Sequence, residues 1–246
     1  MNSPATSDIR ARLTQILRAP GSLEARSCET CRLPIEQQYE VCFGCQALGK
    51  MHPLADGVFP LTYAPYGSAA YRLMHDYKIE STPNQFKYID ALKYFLQEEL
   101  ARHLSCLSTR YPVTAVSVVP STSNPGSTDH SLGLVVEGCL QDLPRIGTFF
   151  TKPRAQRKVD PYYAQFPKLN RDELSHVLVF EDTWVTGSTS QSVAAGLKMR
   201  GAKRVSIVPL ARALDPRTSV VNRAIDALRQ GQFDWNSCPF CGQAHA

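Results

Sequence analysis

Apolar residues recur along this chain in two rhythms, and the alternation of the two predicts an α/β protein. Ile9, Leu13, Ile16 and Leu17 sit at helical spacing and predict an amphipathic helix over residues 5–18. The run Ala19-Pro20-Gly21-Ser22 ends it. Ser68–Lys78 and Pro83–His103 predict two more helices, the second with Ile89, Leu92, Phe95 and Leu100 on one face. Against these stand short unbroken apolar runs: Val113–Val119 between Pro112 and Pro120, His176–Phe180, and Val205–Leu210. Runs that are β-branched and do not alternate are expected of strands buried on both faces of a parallel sheet. Leu61–Tyr63 and Ile146–Phe150 are weaker strand candidates, while Leu132–Leu140, Ser188–Arg200 and Val220–Leu228 predict helices. Strands alternating with helices predict one parallel sheet, flanked by helices and wound with right-handed crossovers.

The rhythm lapses in three places. Cys28–Cys45 has few periodic apolar positions and is expected to be a loop held by metal. Residues 151–171 are basic and aromatic without a period, and a loop of that size inside a compact domain is usually functional or mobile. Cys238–Ala246 is a polar tail. The expected organisation is an N-terminal helix with a cysteine module at 1–55, an α/β domain at 56–230, and a tail at 231–246.

Composition narrows the class without naming a function. The chain has 246 residues, 43% of them hydrophobic, which excludes a disordered or fibrous protein. A net charge of +5 suits a phosphorylated small molecule or a nucleic acid equally. Asp8, Arg10 and Arg12 interrupt the opening segment where a signal peptide needs an apolar core, and no apolar run is long enough to span a bilayer. The expectation is a cytoplasmic protein with reduced thiols and no membrane partner.

Eight cysteines are too dilute for a disulfide scaffold of this length, so their spacing matters more than their number. Cys28-Glu29-Thr30-Cys31 and Cys42-Phe43-Gly44-Cys45 form paired C-x₂-C turns. Two such turns can close four thiolates around one Zn²⁺, and with no open position the site is structural rather than catalytic. Cys238-Pro239-Phe240-Cys241-Gly242 is a third pair, and His245 follows it. These supply three ligands of a second zinc site and leave the fourth open; the tail could fold beside the first site or bridge to another chain. Cys106 and Cys139 lie in apolar helical surroundings and read as buried core thiols. His103 and His130 read as surface histidines rather than bases.

The most informative segment runs from Val177 to Ser190. An apolar strand meets Glu181 and Asp182, then Thr183-Trp184-Val185, then the Gly-hydroxyl loop Thr186-Gly187-Ser188-Thr189-Ser190 that opens a helix. Acids at the carboxyl end of a parallel strand face the crevice where α/β folds bind ligands. Backbone N–H groups and hydroxyls at a helix N-terminus attract a phosphate. Acids beside a phosphate seat repel it unless they hold something else, and ribose hydroxyls or Mg²⁺ are the groups that want carboxylate oxygens.

This segment resembles the signature by which type I phosphoribosyltransferases bind 5-phosphoribosyl 1-pyrophosphate (PRPP). Together with the N-terminal cysteine module, it resembles the ComF/GntX family of phosphoribosyltransferase-like proteins. Tyr66–Lys78 is similar to that family's aromatic-led helix ending in lysine, and the likeness covers roughly residues 28–212. The resemblance implies a type I phosphoribosyltransferase fold over 56–230, binding PRPP with Mg²⁺ and displacing pyrophosphate with a nitrogenous base. Glu181 and Asp182 would hold the ribose hydroxyls, one of them helping to position Mg²⁺. Thr186, Gly187, Ser188, Thr189 and Ser190 would cradle the 5′-phosphate. Ser121 and Thr122, after the Val113–Val119 strand, would occupy the pyrophosphate loop. Arg154 and Arg157 fall where such enzymes keep a mobile catalytic loop, and closure there would exclude water and supply positive charge to the leaving group. The family's Arg-Gly-Phe-Asn run is replaced here by Asn124-Pro125-Gly126-Ser127-Thr128-Asp129-His130. A non-catalytic PRPP or nucleotide sensor is therefore one alternative, and a ComF-like factor handling single-stranded DNA is another. Homodimers are common for such a fold.

Overall fold

The computed structural model describes residues 4–20, 25–48, 52–79, 85–109, 111–121, 131–151 and 158–245. The chain begins with helix α1 (Pro4–Ile16), passes through the cysteine segment with its short helix α2 (Phe43–Leu48), and enters the sheet at β1 (Gly57–Val58) and β2 (Thr62–Pro65). Helices α3 (Ala69–Asp76) and α4 (Gln85–Ser108) lead to β3 (Ala115–Val118), α5 (Ser131–Glu137) and β4 (Arg145–Ile146). A small pair of strands follows, β5 (Phe149–Phe150) and β6 (Ala164–Gln165). Then come β7 (His176–Trp184), α6 (Ser188–Met199), β8 (Arg204–Leu214) and α7 (Ser219–Arg229). The main sheet is parallel, in the order β1-β8-β7-β3-β4, with β2 continuing along β8 beyond β1.

Alternation along the strands divides the core into two layers. Val116, Val118, Leu178, Phe180, Val208 and Leu210 face α1, α3, α4 and α5. Ala115, Val177, Val179, Val205 and Ile207 face α6, the β5–β6 pair and the cysteine segment. The central strands are buried on both faces, which is why they read as continuous apolar runs rather than alternating ones.

One strand outruns its apolar signal and another divides. β7 continues through Glu181 and Asp182 because β8 keeps pairing with it as far as Trp184↔Arg212. The predicted strand at 146–150 divides, since Ile146 pairs with β3 while Phe149 and Phe150 pair antiparallel with β6. The aperiodic 151–171 stretch thus contains an ordered strand, anchored where Phe150 stacks on Tyr163 at 4.1 Å. Among the described residues no helix is long and apolar enough to cross a membrane.

One buried acid carries a pH-dependent cost. Glu99 on α4 is 1% exposed, and neither carboxyl oxygen has a hydrogen-bond partner among the described residues. Burial pushes its pKa well above the ordinary carboxylate range. The folded pKa is raised, so stability is fully present below the unfolded pKa of about 4.3 and is lost as pH rises through the folded value. Glu99→Met is expected to stabilise the chain by about 1–3 kcal/mol near neutral pH. Urea midpoints measured in mild acid and in mild alkali should show the advantage of the variant growing with pH; an advantage equal at both would refute the assignment.

Candidate functional site

Strand order locates a crevice before any side chain is considered. From β3 the chain crosses to β4 through α5 on one face of the sheet, whereas from β7 it crosses to β8 through α6 on the other. Neighbouring strands whose connections leave in opposite directions part at their carboxyl ends, and ligands of open α/β sheets bind in that gap. Glu181 and Asp182 lie on β7 at this switch point. The chain leaves β3 beside them, as Val119 N–H donates to the Phe180 carbonyl at 2.8 Å. Ser121, expected in the pyrophosphate loop, is half-buried there, while Thr122 lies outside the described residues.

The two acids occupy different surroundings because consecutive strand residues face opposite sides of a sheet. Glu181, 8% exposed, accepts a hydrogen bond from Ser190 Oγ on α6 at 2.9 Å. Asp182 turns toward α3, where Tyr77 Oη donates to its Oδ2 at 3.1 Å and Lys78 Nζ lies 2.5 Å from the same oxygen. Burial and the Asp182 charge push the Tyr77 phenol well above its ordinary pKa, so it remains a donor. Asp182 is thus the acid whose partners come from outside the Thr186–Ser190 loop, and Glu181 the one that fastens that loop.

The loop has the geometry of a helix start. Gly187 caps α6 in the left-handed conformation, φ 77°, and a Cβ there would stand 1.9 Å from Trp184 Cζ2. Only a residue without a side chain satisfies both the backbone and the indole. Thr186 Oγ1 and Ser188 Oγ are 3.1 Å apart, while Ser190 Oγ also reaches the Gly187 carbonyl. Thr189 stands in the same first turn. Ser192, one turn on, donates to the Ser188 carbonyl and accepts from Asp160 N–H, tying the helix to the segment before β6.

Behind the loop lies the cysteine segment. Cys28, Cys31, Cys42 and Cys45 are all buried, with their sulfurs within 4.8 Å of one another. A tetrahedron of 2.3 Å Zn–S bonds has edges of about 3.8 Å, and Cys31 Sγ and Cys42 Sγ are 3.8 Å apart. The four could therefore hold a metal ion such as zinc. The crowded sulfurs compete for protons: hydrogen bonds from the other three thiols lower the pKa of Cys28, while the same crowding together with burial raises those of Cys42 and Cys45. For Cys31 the Cys28 thiol pushes upward, but Cys42, Cys45 and the charge of Arg212 bring it down to about 7. Arg212 is 5% exposed and donates through Nη1 to the carbonyls of Trp184 and Ala213, at 2.9 and 2.6 Å. One buried cation thus faces the cysteine site and grips the backbone that leads into the Thr186–Ser190 loop. A basic residue inside an otherwise apolar strand run was the sequence signal for it.

The tail differs from expectation. Cys238, Cys241 and His245 come together with Cys106 of α4, which is half-buried beside them and is not a core thiol. Cys139 does pack against the core and donates to the Val135 carbonyl. His103 is fully buried rather than at the surface, its Nε2 donating to the Trp235 carbonyl at 3.0 Å. His130, Arg154 and Arg157 lie outside the described residues. Comparison with protein-family models, curated proteins and solved structures finds no match to this chain.

Proposed function

We propose that the crevice at the carboxyl ends of β3 and β7 binds PRPP with Mg²⁺, and that the chain is a type I phosphoribosyltransferase-like protein akin to the ComF/GntX family. The observation that carries this reading is the acid pair at the switch point, followed within five residues by a helix N-terminus whose cap must be glycine. In the reaction, the bond from the anomeric carbon to pyrophosphate oxygen breaks as a nitrogen of the acceptor base forms its bond to that carbon. Asp182 holds the ribose hydroxyls, and the first turn of α6 holds the 5′-phosphate through Thr186, Ser188 and backbone N–H groups. Glu181 and Ser190 fix the loop on which those donors sit. Lys78 is about half exposed and can exchange its Asp182 partner for a pyrophosphate oxygen. Arg154 and Arg157, between β5 and β6 in sequence, would add positive charge to the leaving group. Mg²⁺, when bound with PRPP, neutralises part of the pyrophosphate charge.

Calorimetric titration of PRPP with Mg²⁺ tests the seat. Asp182→Asn removes the charge but not the shape and is expected to weaken binding about 10- to 100-fold, as loss of a charged hydrogen-bond acceptor does. Unchanged affinity in this variant, or no binding by the natural chain, refutes the reading. The absence of arginine from residues 124–130 favours a PRPP sensor as the second reading. Pyrophosphate release across a panel of purine and pyrimidine bases separates the two, since a sensor binds PRPP and releases none.

A further inference from the structure

We propose that a second zinc ion is held by Cys106, Cys238, Cys241 and His245, and that it fastens the carboxyl-terminal tail to α4. The tail repeats, bond for bond, the turn that carries the first two ligands of the four-cysteine site. At that first site Arg32 N–H donates to the Cys28 carbonyl at 2.9 Å, Cys28 N–H donates to the Leu33 carbonyl at 2.7 Å, and Ser27 bridges antiparallel to Pro34. In the tail Gly242 N–H donates to the Cys238 carbonyl at 3.0 Å, Cys238 N–H donates to the Gln243 carbonyl at 2.9 Å, and Ser237 bridges antiparallel to Ala244. The residue after the second cysteine is left-handed in both, Arg32 at φ 60° and Gly242 at φ 72°. Arg32 is the one non-glycine residue with positive φ among those described, so the first turn adopts this shape at a steric cost. A turn that aims two sulfurs at one point therefore occurs twice in the chain, each time on C-x₂-C.

The remaining ligands complete each turn differently. At the first site a second C-x₂-C closes the tetrahedron; at the tail, Cys106 and His245 do so. Cys106 Sγ and Cys241 Sγ lie 3.3 and 3.2 Å from His245 Nε2. Zn–S bonds of 2.3 Å and Zn–N bonds of 2.0–2.1 Å give S–N edges of about 3.5 Å. All four ligand atoms lie within 4.8 Å of one another. The His103 ring meets His245 edge-on at 5.4 Å and is itself held by the Trp235 carbonyl, which limits how the His245 ring can turn. With four protein ligands the site is closed and therefore structural.

Its position explains what it fastens. Phe233 and Trp235, just before the knuckle, are buried in the core layer with Phe95 of α4, and Trp235 Nε1 donates to Thr14 Oγ1 of α1. The ion would join the end of the chain to the end of α4 and clamp these aromatics over α1. The sites also differ in access: all four cysteines of the first are buried, whereas Cys241 is exposed and Cys106 is half-buried. The tail ion should therefore be the first lost to a chelator.

Elemental analysis of the full chain, purified with thiols reduced, is expected to give two zinc ions per chain, and one in each of Cys106→Ser and His245→Ala. Circular dichroism establishes that the variants are folded. Cobalt titration of the metal-stripped natural chain needs no variant, and its sulfur-to-metal absorption should saturate at two equivalents. Brief exposure to EDTA should remove one equivalent while the other persists. One zinc ion in the natural chain, two in Cys106→Ser, or cobalt saturation at one equivalent would overturn the proposal.

Discussion

Cys31→Ser is expected to cost the chain one zinc equivalent and to unfold residues 25–48, with consequences that reach the Thr186–Ser190 loop. A structural zinc ion contributes about 10–16 kcal/mol of apparent binding energy in zinc-finger peptides. That is comparable with the whole stability of an ordinary domain, about 5–15 kcal/mol. The segment has little else to hold it: Ile35 is buried and Leu33 and Val41 partly so, while Tyr63 Oη donates to the Arg32 carbonyl. The layer containing α1, α3, α4 and α5 includes none of the four cysteines, so that half of the core should survive. Arg212 carries the effect onward. Four thiolates and Zn²⁺ form a net anion, and Arg212 is a buried cation whose Nε has no partner among the described residues. Without the anion its charge is uncompensated, and its grip on the Trp184 and Ala213 carbonyls is what it must give up to reach water. Hydrogen exchange should therefore quicken both in 25–48 and around 184–190, and Tm should fall by roughly 10 °C or more. If exchange quickens in 25–48 alone, Arg212 does not couple the two sites.

How much of this was legible in the sequence differs by element, for physical reasons. The central strands were visible because burial on both faces forces an unbroken apolar run. The end of β7 was not, because pairing continues there on backbone hydrogen bonds while Glu181, Asp182 and Thr183 turn the side chains polar. That extension decides the chemistry: once Glu181 and Asp182 belong to a strand, their side chains must part to opposite faces. The sequence pattern places both acids at the carboxyl end of the strand, facing one crevice, without separating their faces. The fourth ligand of the tail was hidden by distance, since Cys106 lies 139 residues before His245 and helical periodicity around it suits a core thiol equally well. The burial of His103 is hidden for the same reason: its cover is Trp235, supplied by a segment without periodic apolar positions. Both cysteine turns, by contrast, were legible because C-x₂-C encodes its geometry within four residues.

The second large effect is expected at Gly187. Alanine there must adopt φ 77°, which costs about 1–2 kcal/mol for an L-residue. Its Cβ would also stand 1.9 Å from Trp184 Cζ2 and 2.3 Å from Cε2, closer than any real contact. The indole is 1% exposed and belongs to the same core layer as the four cysteines, so it has nowhere to retreat. Overpacking of this kind typically adds about 1–3 kcal/mol. Gly187→Ala should therefore lose about 2–5 kcal/mol in urea unfolding, the sum of the two costs. The two contributions separate in a double-mutant cycle. Trp184→Leu removes the ring, so adding Gly187→Ala in that background should cost only the left-handed share, leaving a coupling of about 1–3 kcal/mol. PRPP affinity should not follow stability: alanine still pulls the backbone away from the left-handed region and turns the first N–H groups of α6 off the phosphate. In the Trp184→Leu background, Gly187→Ala is thus expected to cost little further stability and most of the binding. Additive stabilities would mean that the indole yields freely to the added methyl group.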